Sequence, residues 1–320
     1  MQVIELSYPL QLPVRHFPRT MQVLAIGDFD GVHLGHQDVI RKALAVGGRE
    51  RLPVSIMTFN PHPRQVLGDS QYAKCLTPFQ AKMDILQKMG IQYTFIVRFD
   101  NRFAQLSPAE FVSQMLKNMQ IHTVVVGFDF TFGHRGKGTV ETLKELVGFA
   151  NVEVVEPFHL DGEKISSTLI REQLQLGRPE KVRRLLGRYY SIKGKVVSGE
   201  GRGRTLGFPT ANIEVTDPYV IPCTGVYAVR LTLDGNHQYG VMNIGVKPTF
   251  SGHFAEPVLE AHLFDFQQNI YGKEITVEFL AYLRSEKKFS SAEELAEQIR
   301  ADAERARQLI DTHKESEHGR

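Results

Sequence analysis

The sequence contains no tryptophan and only two cysteines, Cys75 and Cys223. Two thiols with no C-x-x-C pair exclude a disulfide framework, and both are expected to be buried free thiols in a reducing compartment. No apolar run approaches the roughly 18 residues of a membrane span, and no basic-then-apolar segment reads as a signal peptide. The expected location is the cytoplasm. Charge of one sign is also missing: 38 Lys and Arg stand against 36 Asp and Glu, for a net charge of +2. That is not the footprint of a nucleic-acid binder, so neither nucleic acid nor a membrane is an expected partner. Repeats and low-complexity tracts are absent, apart from a polar tail at residues 313–320. What remains is a chain of 320 residues, 42% hydrophobic, long enough for two domains that each have a core.

The two halves follow different grammars. Between about residues 22 and 160, apolar strands at 23–26, 53–59, 93–98, 123–127 and 152–155 alternate with helical stretches at 38–45, 78–89, 108–118 and 140–150. Pro78 and Pro108 fall where a first-turn proline belongs, behind the capping residues Thr77 and Ser107. Near-continuous apolar strands joined by helices predict a doubly wound parallel α/β sheet covered on both faces. Residues 166–188 read as two short helices broken near Gly177 and Pro179. Beyond them, strands at 189–197, 225–233, 238–244, 259–263 and 275–283 are separated by turns rather than helices, which predicts an antiparallel barrel. A helix over 291–309 closes the chain, capped by Ser290 with Glu293 or by Ser291 with Glu294. Its stripe of Leu295, Ile299, Ala306 and Ile310 is expected to pack on the core. The expected domains are 1–185 and 186–320.

The most informative segment is Gly27-Asp28-Phe29-Asp30-Gly31-Val32-His33-Leu34-Gly35-His36-Gln37. It sits where a buried strand gives way to a helix, and that helix end presents open N–H groups and the positive pole of the dipole. Gly31 and Gly35 remove side chains where backbone has to approach a ligand. Two imidazoles there suit phosphate; a metal site with Asp28 and Asp30, or a purely structural pair, are the competing readings. Ser166-Ser167-Thr168-x-x-Arg171 places hydroxyls and a guanidinium on one face of a first helical turn, either as ordinary caps or as a second phosphate clamp. Together the segments suit nucleotidyl transfer. A phosphate nucleophile is already ionised, so positioning and charge stabilisation suffice without a base.

Other segments carry weaker signals. Thr58-Phe59-Asn60-Pro61-His62-Pro63 and Gly127-Phe128-Asp129-Phe130-Thr131-Phe132-Gly133 both follow strands, on the usual binding rim. Residues 133–139 lack P-loop spacing and read either as a basic loop over the site or as a solvated turn. The Gly/Arg-rich stretch Gly201, Gly203, Thr205 and Gly207 could cradle phosphate through backbone amides. After it, Thr210 and Asn212 alternate onto one side of an extended segment, with neutral oxygens that suit Mg²⁺. Glu260 is a carboxylate in an apolar strand, either solvent-facing or a base for a hydroxyl acceptor.

These motifs, in this order and with Leu283-Arg284-Ser285-Glu286-Lys287-Lys288-Phe289, resemble the prokaryotic bifunctional riboflavin kinase/FAD synthetase family over nearly the whole chain. The resemblance implies an adenylyltransferase α/β domain and a six-stranded barrel that phosphorylates riboflavin. ATP would serve both reactions and Mg²⁺ would be a cofactor, with riboflavin, FMN and FAD as substrates and products. His33, His36, Ser167, Thr168 and Arg171 would hold ATP phosphates, and Gly27, Phe29, Asp30, Gly35, Asn60 and Asp129 would complete that site. In the barrel, Thr210 and Asn212 would hold Mg²⁺ with ATP, Glu260 would be the base, and Arg284, Glu286 and Phe289 would line the flavin pocket. Two other readings stay open: a barrel that binds flavin without catalysis, and a class I aminoacyl-tRNA synthetase-like enzyme. Self-association is left open too.

Overall fold

The computed structural model describes residues 1–10, 18, 20–198, 208–247 and 256–318. The chain forms two compact units, Met1–Ser167 and Thr168–Arg320. Gly201, Gly203, Thr205 and Gly207 lie outside the described residues.

The first unit is built on β1 (Gln2–Leu6), β2 (Gln22–Ile26), β3 (Val54–Asn60), β4 (Tyr93–Arg98), β5 (Ile121–Gly127) and β6 (Asn151–Val155). All pair in parallel, in the order β1-β4-β3-β2-β5-β6. The five strands expected from apolar runs are present; β1 is an addition, a short strand with polar alternate residues that carries too little apolar signal to be read alone. Successive side chains of β2 point to opposite faces. Leu24 and Ile26 enter one core with Met57, Phe95 and Val124, and Val23 and Ala25 enter the other with Ile40, Ile56 and Val125. The sheet is therefore buried on both sides. The strand order reverses at β2, between β3 and β5, which places the ligand crevice of an open α/β sheet at the carboxyl ends of these strands.

The helices fill the gaps with informative departures. Helix α1 (Leu34–Glu50) begins four residues before the expected start, because His33 itself is its N-cap. A short turn α2 (Pro63–Val66) follows β3, and α3 is Phe79–Lys88. Thr77 does not cap α3: Pro78 occupies the N-cap position, and the Thr77 hydroxyl accepts from the Gly31 N–H at 2.8 Å instead. Ser107 does form its capping box with Glu110 at the start of α4 (Pro108–Glu110), but residues 111–116 then widen into a π-helical turn. Helix α5 is Val140–Leu146, capped by Thr139. The 133–139 loop is tied at both ends by mutual backbone hydrogen bonds between Phe132 and Gly138. A two-residue-per-strand hairpin, β7 (His159–Leu160) with β8 (Glu163–Lys164), precedes α6 (Ser167–Gln175) and α7 (Pro179–Leu186).

The second unit contains β9 (Ser191–Val197), β10 (Ala211–Glu214), β11 (Gly225–Leu233), β12 (Asn236–Lys247), β13 (Glu256–Leu263) and β14 (Glu274–Arg284), closed as β10-β13-β12-β11-β14-β9. Asp234 and Gly235 both take positive φ, the backbone a two-residue hairpin requires, so the Asp-Gly signal sets the β11–β12 register. Tyr227, Val229, Met242, Leu259, Ala261, Val277 and Phe279 alternate inward and are almost wholly buried. Helix α8 (Ala292–His318) lies against the outside of the barrel, with Ser291 Oγ accepting from the Glu294 N–H at 3.2 Å. Its expected apolar stripe divides in two. Ala306 and Ile310 pack on Val226, Ala228 and Val241, whereas Leu295 and Ile299 face a cavity. Both cysteines are free, and both are half-buried rather than buried.

Candidate functional sites

The turn between β2 and α1 folds the two imidazoles together. His33 is 5% exposed, and its Nδ1 accepts from the His36 backbone N–H at 3.2 Å. In the neutral ring the proton therefore sits on Nε2. The His33 and His36 rings stack with centroids 3.6 Å apart, and Phe29, itself buried, meets His36 edge-on at 5.4 Å. Gly35 is what permits this packing: a Cβ there would lie 3.3 Å from the His33 ring. Gly35→Ala is accordingly expected to displace that ring and slow chemistry at this turn by about tenfold to a hundredfold, measured as initial rate with the barrel reaction as internal control. A Cβ at Gly27 would likewise lie 3.0 Å from the Phe29 ring.

Each of the two aspartates of the motif has a partner outside the β2–α1 turn. Asp30 is buried, and its Oδ1 accepts from the Leu76 and Thr77 N–H groups at 2.9 and 3.1 Å. Asp28 pairs with His62 Nε2 at 2.6 Å, across the rim from the loop after β3. His62 Nδ1 accepts from the Arg64 N–H, which fixes Nε2 as the nitrogen facing Asp28. Among the described residues no group of three or more His, Cys, Asp or Glu could hold a metal ion. Ser167 closes onto this turn, donating from Oγ to the Asp30 carbonyl at 2.8 Å. Asn60 ends β3 and is exposed; Asp129, on the loop after β5, is also exposed and pairs with Lys164 Nζ at 2.7 Å. Lys164 lies over the Phe128 ring at 4.3 Å. Thr168 and Arg171 follow on α6 and are counted with the second unit.

In the barrel, strand register assembles what sequence spacing could not. Asn212 on β10 stands opposite Glu260 on β13, Glu260 opposite Asn243 on β12, Asn243 opposite Val226 on β11, and Val226 opposite Arg284 on β14. Directly opposed residues share a face. One row across five strands therefore carries Asn212, Glu260, Asn243 and Arg284 on the outer face, since Leu259 and Ala261 on either side of Glu260 point into the barrel. Above this row is a cavity of about 310 Å³ lined by Thr210, Glu260, Glu286, Phe289, Leu295 and Ile299, among others. Asn243 was not anticipated, although a lone amide in the apolar run Val241-Met242-Asn243-Ile244 is the same kind of signal that Glu260 gave. A second cavity, of about 580 Å³, lies on the other side of Thr210 and also takes in Pro209, Ala211, Ile270 and Tyr271.

Arg284 does not simply line the pocket. Its guanidinium makes a fork to both oxygens of Asp302 on α8, at 2.7 to 3.0 Å, and so fixes the helix that walls the cavity. Both side chains are largely buried, at 15% and 7% exposure. Asp302→Ala strands that cation and is expected to cost about 3 kcal/mol, visible as a lower thermal midpoint for the barrel unit.

A switch-point crevice with paired histidines, together with a barrel that bears one carboxylate between two amides, defines a two-site nucleotide-dependent transferase. Residues 18–169 match the family model described as FAD synthetase, and residues 186–310 the one described as riboflavin kinase. A Bacillus subtilis protein named bifunctional riboflavin kinase/FMN adenylyltransferase is 42% identical over 96% of this chain and 97% of its own length. An Escherichia coli K12 protein of the same name is 37% identical over 92% of this chain and 94% of its own. A Streptococcus pneumoniae crystal structure described as a macrolide-efflux protein superposes with a TM-score of 0.87 at 33% identity, covering 95% of this chain and 99% of that one. Among the described residues of this chain, no helix is long and apolar enough to cross a membrane. The chain belongs to the bifunctional riboflavin kinase/FMN adenylyltransferase family.

Proposed function

We propose that this chain makes FMN from riboflavin and ATP in its barrel, and FAD from FMN and a second ATP at its parallel sheet, through the residues assigned below. The observation that carries the kinase half is the cross-strand row with Glu260 flanked by Asn212 and Asn243. Riboflavin is taken by the 310 Å³ cavity, whose Phe289, Leu295 and Ile299 offer apolar cover for a planar ring system. Glu286 reaches the same cavity, beside Gly245, where a Cβ would come within 2.8 Å of its Oε1. Glu260 accepts the proton of the terminal hydroxyl as that oxygen attacks the γ-phosphorus of ATP and the bond to ADP breaks. The acceptor is a neutral alcohol, so a base is required here. Thr210 and Asn212 present a hydroxyl and an amide oxygen, and Thr210 borders both cavities. Neutral oxygens that complete a coordination sphere of phosphates and water fit Mg²⁺, which when bound would neutralise charge on the transferring phosphates.

At the sheet, a phosphate oxygen of FMN attacks the α-phosphorus of ATP and pyrophosphate leaves. The nucleophile is already an anion, so the residues needed are donors rather than a base. His33 through Nε2, His36, and the Leu34 and Gly35 N–H groups at the start of α1 supply them. Ser167, bonded to the Asp30 carbonyl, joins these donors. The Thr168 hydroxyl and Arg171 guanidinium are the further groups assigned to the ATP phosphates, and Asn60 and Asp129 stand on the rim for ATP or FMN. Incubation with riboflavin, ATP and Mg²⁺, with FMN and FAD separated over time, tests the proposal. FMN should rise first and FAD follow. Absence of both products would refute it.

A further inference from the structure

The phosphate turn is strained, and something outside it must hold it. Phe29, Gly31 and Val32 have φ values of 54°, 86° and 41°. Two of the three carry side chains in the left-handed region, and Val32 is β-branched, for which that region is least tolerated. Such conformations persist only where the surroundings over-determine them. His33 follows Val32 directly, so an error in the turn is passed on to the imidazole.

Residues 76–82, between β3 and the first turns of α3, grip this turn at three points. The Asp30 carboxylate is fixed by the Leu76 and Thr77 N–H groups. The Gly31 N–H is fixed by the Thr77 hydroxyl at 2.8 Å. The Asp28 carbonyl accepts from the Lys82 ammonium at 2.7 Å and from the Thr58 hydroxyl at 2.8 Å. Lys82 is 8% exposed, and its other partner is the Thr58 oxygen at 3.5 Å. Burying an ammonium against neutral oxygens is costly, and a surface lysine on α3 would avoid that cost. What the contact supplies is an anchor for the Asp28 carbonyl, immediately before the first left-handed residue, Phe29.

We infer that Thr77 and Lys82 are positioning residues for adenylyl transfer: they brace the turn at Gly31 and Asp28 and so set the His33 and His36 rings. The inference rests on the adenylyl-transfer reading of that histidine pair. Thr77→Val keeps the shape and removes the hydroxyl acceptor, Thr77→Ser restores it, and Lys82→Met keeps the chain length and removes the charge. Thr77→Val and Lys82→Met should each lower kcat for FMN-to-FAD conversion by about tenfold to a hundredfold. The KM for ATP should stay within about threefold, and Thr77→Ser should recover most of the rate. Riboflavin phosphorylation by the same preparations should be unchanged, which reports a folded chain. A merely structural role would lower the amount of folded enzyme, and with it riboflavin phosphorylation as well as FAD formation, in Val and Ser variants alike. His36→Ala is run alongside. If it abolishes FAD formation while Thr77→Val and Lys82→Met run at the unaltered rate, the brace is wrong; if it is itself without effect, the reading of the histidine site is wrong. Should Lys82→Met lose both activities, the Thr77 pair decides alone.

Discussion

Glu260→Gln is expected to lower FMN formation from riboflavin by about a hundredfold to ten-thousandfold, while supplied FMN is still converted to FAD at the unaltered rate. The substitution is close to isosteric, so the packing of β13 between β10 and β12 is kept and only the proton acceptor is lost. The row Asn212-Glu260-Asn243 puts two neutral amides beside the carboxylate, one on each neighbouring strand. Neither amide can take over as base, because an amide nitrogen has no proton affinity to offer at neutral pH. A variant that phosphorylates riboflavin as fast as the unaltered chain would remove Glu260 from the mechanism and favour a barrel that only binds flavin.

The second large effect is expected at the other unit. His36→Ala should reduce FAD formation by about a hundredfold to a thousandfold and leave riboflavin phosphorylation intact. Two losses add up in this variant. One donor to the phosphates disappears, and the His33 ring loses the partner stacked on it at 3.6 Å. The edge contact from Phe29 goes with it. Initial rates for each half-reaction, measured separately with riboflavin or FMN supplied, decide the matter. Loss of both activities would argue against two separate sites.

Much of this architecture is legible in the sequence. The apolar runs that became β2 to β6 are long enough to be unambiguous, and the change from helical connections to turns marked the barrel. Local motifs were legible because they depend on neighbours in sequence, as the Ser107 cap at the start of α4 does, although the N-cap role of His33 was not read and α1 was expected four residues too late. Strand register is not local. Nothing in the spacing of Asn212, Glu260, Asn243 and Arg284 says that they form one row, because that row exists only once the barrel closes. Arg284 was expected to line the flavin pocket, and its fork to Asp302 was hidden because the partner is on a helix. Thr77 was misjudged for the opposite reason. A hydroxyl before a proline and a helix is an ordinary cap by local rules, yet its partner is Gly31, 46 residues away. Lys82, 54 residues from Asp28, gave no signal at all on a helix rich in polar residues.

If one chain holds two independent chemistries joined by FMN as a diffusible product, the two can be separated and recombined. Glu260→Gln and His36→Ala should each fail, alone, to make FAD from riboflavin. Mixed in one tube with riboflavin, ATP and Mg²⁺, the two variants should make it, because FMN formed by the His36→Ala chain is adenylylated by the Glu260→Gln chain. FAD appearing only in the mixture, after FMN, is the predicted result. A mixture that makes FMN but no FAD would show that FMN does not pass between chains and that the two sites are not independent.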